Sequence, residues 1–178
     1  MTMKALLLAS TFVLVAVGAL AQSVPEKTGI NSALGVAPKT QDFVTLAAQS
    51  DMLEIEASKL AQAKSDSDKT KQFAAKMIKD HTETSTELKS LVSSGKVKVE
   101  APASLDKAHQ EELDKLTKLD GKDFTKEYDS MQVTAHKDAV SLFERYSKDG
   151  DNADLKAFAS KYLPHLQEHL KMAQDLDR

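Results

Sequence analysis

Glu54, His81, His136, His165 and His169 sit on or beside apolar helical stripes, where a carboxylate or an imidazole needs a partner. With Phe43 as the zero of a wheel at about 100° per residue, Ala47, Ser50, Glu54, Ala57 and Ala61 fall within roughly 40° of it. His81 shares the arc of Phe73, Ala74, Met77, Leu88 and Leu91. His169 lies inside the stripe of Leu155, Ala159, Tyr162, Leu166, Leu170 and Ala173, with His165 nearer its boundary and His136 toward one edge of its own stripe. An unpaired charge in an apolar interior costs several kcal/mol unless it is protonated, paired or metal-bound. Neutral imidazole and carboxylate suit zinc, copper, iron or manganese. The expected ligands of one transition-metal ion are therefore Glu54, His81, His136 and His169. His165, at an i, i+4 spacing from His169, is the alternative on the last helix.

Two further readings stay open. The same groups can hydrogen-bond to one another and to Ser50, Tyr128, Gln132 or Tyr162, a network that fixes helix register and binds nothing. A metal-dependent oxidoreductase needs a redox-active ion with a vacant coordination position. The chain has no Gly-rich phosphate loop, no nucleophile elbow and no HExxH, so the reading leans away from an enzyme.

The elements that must position these residues are helices. Periodicity predicts long helices over 41–63, 69–93, 122–147 and 153–176, and a short one over 105–119. Thr40, the 65–68 Ser/Asp cluster, Ser104 and Asp151 are the expected caps, and Gly121 and Gly150 the expected helix ends. Pro164, inside the last helix, predicts a kink or break near Leu163. Two short connections predict two antiparallel hairpins packed as a four-helix bundle, an all-α fold. The long connection between them, with its short helix, crosses the bundle end or runs along its side. At about 1.5 Å per residue, Glu54 lies roughly 18 Å before the first turn and His81 roughly 22 Å after it. His136 lies about 21 Å before the second turn, with His165 and His169 about 22 and 28 Å after it. The polar residues of each hairpin thus lie at similar depth.

Residues 1–21 read as a cleaved export signal: Lys4, an apolar run from Ala5 to Val17, and an A-x-A site ending at Ala21. Residues 22–39, with Pro25, Gly29, Gly35 and Pro38, read as a flexible arm, and 40–178 as the folded domain. The signal takes one Lys with it, so the formal charge of −3 becomes −4. That mild acidity, with the signs interspersed, argues against nucleic acid as a partner. No membrane span is expected after cleavage, and an envelope protein or a second copy of the chain is the candidate partner. The absence of Cys excludes disulfides and thiolate ligands.

Over about 42–176 the pattern resembles an exported bacterial family catalogued as domain of unknown function number 4142. The residues that carry the resemblance are Phe43, Ala47, Glu54, Leu60-Ala61, Phe73-Ala74, Met77-Ile78, Asp80-His81, Gly121, Phe124, Tyr128, His136, Leu163-Pro164, Leu166 and His169-Leu170. Thr125 departs from it, since the family commonly has Asp there. The resemblance implies a ferritin-like bundle delivered to the periplasm of a Gram-negative envelope. Ferritin-type di-iron sites use Glu-x-x-His on two helices. Here Ile78, Val133 and Leu166 stand three residues before His81, His136 and His169, so no di-iron centre is expected.

Overall fold

A computed structural model describes residues 23–27 and 29–177; the expected export signal over 1–21 lies outside them. The fold is all-α, with no strand among the described residues. In chain order the helices are α1 (Val24–Lys27), α2 (Ile30–Ala33), α3 (Thr40–Lys64), α4 (Asp68–Ser93), α5 (Lys107–Thr117), α6 (Gly121–Asp149) and α7 (Ala153–Leu176). Among the described residues no helix is long and apolar enough to cross a membrane.

Helices α3 and α4 form one hairpin and α6 and α7 the other, and the two join through α3 against α6 and α4 against α7. Side-chain bonds fix the register of the first seam. Thr40 meets Tyr146 at 2.7 Å, Gln132 meets Glu54 at 2.8 Å, and Ser58 meets Tyr128 at 2.8 Å, so α3 and α6 run antiparallel. Across the second seam His169 meets Asp80 at 2.9 Å and Tyr162 meets Glu87 at 2.8 Å, again antiparallel. The long connection takes the side route, along α3. Gln41 bonds to the Glu100 main chain, Gln49 to Ser104 and Asp106, and Lys64 to the carbonyls of Thr117 and Leu119.

The apolar stripes close the long helices against each other in two separate clusters. One gathers Phe43, Leu88, Phe143, Tyr146, Leu155, Phe158 and Leu166; the other gathers Ala57, Phe73, Met77, Phe124, Tyr128 and Ala173. Along every long helix the residues between the two clusters include buried polar ones: Asp51 and Glu54 on α3, His81 on α4, Gln132 and His136 on α6, and His169 on α7. A polar layer therefore divides the interior.

Several caps differ from expectation because tertiary partners outbid the local backbone. Lys39, not Thr40, is the N-cap of α3, and the Thr40 hydroxyl turns to Tyr146 and Asp151. With Asp151 so engaged, Asn152 caps α7 through the Leu155 N–H at 3.0 Å. Asp106 replaces Ser104 as the cap of α5, accepting from the His109 N–H at 2.9 Å, while Ser67 caps α4 as its cluster predicts. Gly121 has φ of 56° and opens α6 rather than closing α5. Gly150 ends α6 in extended backbone. Its requirement for glycine is spatial, since a Cβ would lie 2.6 Å from the Tyr146 ring. Helix α7 runs unbroken through Pro164, which is exposed, so the expected break does not occur.

The segment read as an arm touches the body of the fold. Ser23 donates its N–H and hydroxyl to Asp42 at 2.8 and 2.6 Å, and Arg145 binds the Val36 carbonyl at 2.7 Å and Glu26 at 3.0 Å.

Asp129, on α6, is buried, and among the described residues only the Thr70 hydroxyl donates to it. Burial pushes its carboxyl up to about 6, against the Thr70 hydrogen bond and with help from the Asp177 charge. The folded chain therefore holds a proton there that the unfolded chain has released, and stability falls as pH rises from about 4 to about 6. Above that window the penalty is about 2–3 kcal/mol. An Asp129→Asn variant should be about 1–3 kcal/mol more stable than the parent at pH 7.5 and no more stable at pH 4. Urea unfolding at the two pH values reads the difference.

Candidate metal centre

Each long helix carries its polar residue inward by the same periodicity that buries its apolar stripe, so four helices deliver side chains to one level. His81, His136 and His169 are 2, 1 and 2% exposed. Their ring centroids form a nearly equilateral triangle with sides of 5.7, 5.7 and 5.5 Å. One nitrogen of each ring lies within 4.8 Å of one nitrogen of each of the others.

One nitrogen of each ring is tied down. His81 Nδ1–H donates to Asp51 Oδ1 at 2.8 Å, His136 Nδ1–H to the Gln132 carbonyl at 2.9 Å, and His169 Nε2–H to Asp80 Oδ2 at 2.9 Å. Asp80 is itself held by Lys76 at 2.8 Å. With each ring neutral, these acceptors fix the tautomers and leave the lone pairs on His81 Nε2, His136 Nε2 and His169 Nδ1. All three atoms are buried without a hydrogen-bond partner. Metal-bound histidines carry this type of support, an outer acceptor orienting each ring. Around a tetrahedral ion, nitrogens at about 2.0–2.1 Å stand about 3.4 Å apart. The three nitrogens, within 4.8 Å of one another, would have to draw together to reach that spacing.

Electrostatics keeps two of the rings neutral. Burial lowers the His136 pKa, against the Glu54 carboxylate and with the His81 ring adding to the effect. Burial, with the two neighbouring imidazoles, pushes His169 down to about 3. Burial also disfavours the His81 cation, but the Asp51 hydrogen bond and charge outweigh it and raise that pKa. Burial raises Asp51 in turn.

The other candidate residues lie outside the triangle. Glu54 is 1% exposed, but its Oε2 accepts from Gln132 and its Oε1 stands 3.9 Å from His136 Nδ1, the side of that ring turned toward the Gln132 carbonyl. It is a neighbour of the converging nitrogens, not one of the three groups that converge. His165 is exposed, its ring 6.0 Å from that of Tyr162. A 40° step along the wheel is enough to carry it out of the interior that holds His169. Of the network partners read from sequence, Gln132 joins the layer, whereas Tyr128 pairs with Ser58 and Tyr162 with Glu87. Asp51 and Asp80 are the residues sequence reasoning missed as supports. Asp51 lies about 80° from the Phe43 stripe, so no periodicity marks it. A cavity of about 610 Å³ lies elsewhere, between α3, α5 and α6, and none of the three histidines lines it.

The fold and site together define an all-α protein with a triad of buried, outwardly braced histidines. The chain belongs to the family described as Domain of unknown function (DUF4142), whose model matches residues 25–176, which agrees with the resemblance read from the residues. No curated protein and no solved structure matches it.

Proposed function

We propose that this protein is an exported, non-enzymatic metal-binding bundle of the bacterial envelope. Its ion is held by His81, His136 and His169 inside a ferritin-like antiparallel four-helix arrangement without di-iron chemistry. The single observation behind this reading is the set of three buried ring nitrogens with free lone pairs on one level. A network that only fixed packing would use its buried polar atoms in hydrogen bonds, as native interiors overwhelmingly do. Here one nitrogen of each ring is bonded and the other is not. Two antiparallel hairpins with one long connection between them fit the ferritin-like order, and the 1–21 signal pattern supports export.

Elemental analysis of protein taken from its own cells, with titration by zinc, copper, manganese and iron, tests the assignment. One equivalent should bind to the parent and to His165→Ala, and none to His136→Ala. Failure of every metal to bind stoichiometrically would end the proposal.

A further inference from the structure

With the three rings neutral, as metal binding requires, the atoms left unpaired in the polar layer share one property: all are acceptors. In the neutral rings the three imidazole nitrogens have lone pairs because the nitrogen across each ring carries the proton. The others are Asp51 Oδ2, Glu54 Oε1 and Gln132 Oε1, the last an amide oxygen because Gln132 Nε2 donates to Glu54. Hydrogen-bond donors and cations are the only species that satisfy such a set. Asp51 and Glu54 are 4 and 1% exposed, and among the described residues no lysine or arginine hydrogen-bonds to either carboxylate.

A monovalent ion such as Cu⁺ satisfies three nitrogens without bringing any donor. It would leave the oxygens unpaired and one of the two carboxylate charges uncompensated. A divalent ion matches both charges and, with only three protein ligands, retains a water at its fourth position.

Building on the metal reading above, we propose that the site selects a divalent, water-bearing cation of the zinc class over monovalent copper. Asp51 and Glu54 are the specificity-determining residues: their two carboxylates match the two positive charges. Neither touches the ion. Each acts through charge.

The test is a pair of dissociation constants, for Zn²⁺ by chelator competition and for Cu⁺ under anaerobic reducing conditions. Both are measured on the full chain and on its Glu54→Gln and Asp51→Asn variants, with helicity checked by circular dichroism. Each substitution keeps the shape of the side chain and removes its charge. Zn²⁺ should weaken by about 10–100-fold in each variant that folds, the range typical of outer partners. Cu⁺ binding should hold or tighten, so the selectivity ratio falls. An unchanged Zn²⁺ constant, or equal weakening of both ions, overturns the selectivity while leaving the histidine site standing. Binding of neither ion to the parent chain overturns the metal reading itself, and the selectivity with it.

Discussion

Saturation with the correct divalent ion should raise the melting temperature by about 5–15 °C. A ligand that binds only the folded state stabilises it by RT ln(1 + [L]/Kd), about 2.7–4.1 kcal/mol at 100–1,000 times Kd. For a chain of this size each kcal/mol moves the midpoint by about 2–4 °C. The unfolded chain cannot assemble the site, because its three nitrogens come from three separate helices, α4, α6 and α7. Alanine at His81, His136 or His169 should therefore abolish the rise, whatever it does to the metal-free protein. Asp80→Ala should shrink it without abolishing it. That change removes the acceptor of the His169 Nε2–H but keeps the ring, and loss of such a support costs about 10–100-fold in affinity. Differential scanning calorimetry with and without ion, in the parent and these variants, reads the graded order. Equal rises in the parent and all three histidine variants would place the ion somewhere else.

The sequence carries the helices almost to the residue because periodicity and turn chemistry are local properties. The spans expected for the long helices differ from those observed by at most two residues at an end. The caps were less legible, since Thr40, Asp151 and Asp106 are assigned by partners distant in the chain. Three of the five candidate ligands converge, and the reason is the same stripe that buries Phe73 and Met77 beside His81 or Leu166 beside His169. The distinction between His165 and His169 turns on 40° at a stripe boundary, which depends on where the neighbouring helices lie. Glu54 was read correctly as buried, yet whether it reaches the ion depends on which edge of the His136 ring it faces. That edge is set by the bond from His136 Nδ1 to the Gln132 carbonyl, a contact within α6 that no spacing announces. The bracing carboxylates were invisible for a related reason. Asp51 points along the α3–α4 seam and Asp80 along the α4–α7 seam, and which helices share a seam is a property of the assembled interior.

Replacing His81 alone by leucine should be among the most destabilising single changes in the metal-free protein, by about 3–5 kcal/mol, because it strands a buried carboxylate. Asp51 is 4% exposed, its Oδ1 accepts from His81 and its Oδ2 has no partner. Without the imidazole it keeps its burial and loses its donor. Replacing Asp51 as well removes the group that bears the penalty. Apolar residues of similar volume commonly match or exceed the stability of a buried pair, and the two apolar clusters on either side of the layer offer such residues suitable neighbours. The Asp51→Leu/His81→Leu double variant should therefore recover to within about 1 kcal/mol of the metal-free parent, giving a coupling energy of about 2 kcal/mol or more in the double-mutant cycle. The recovered protein should bind no metal, since one of its three nitrogens is gone. Urea unfolding in the presence of chelator, on the parent, both single variants and the double, completes the cycle. Additive single effects would mean that Asp51 does not depend on His81 for its burial. Recovery of stability without recovery of binding would show that the layer is kept for its ion and not for the fold: packing alone can hold these helices together, and the imidazoles and carboxylates between the two clusters serve what they bind.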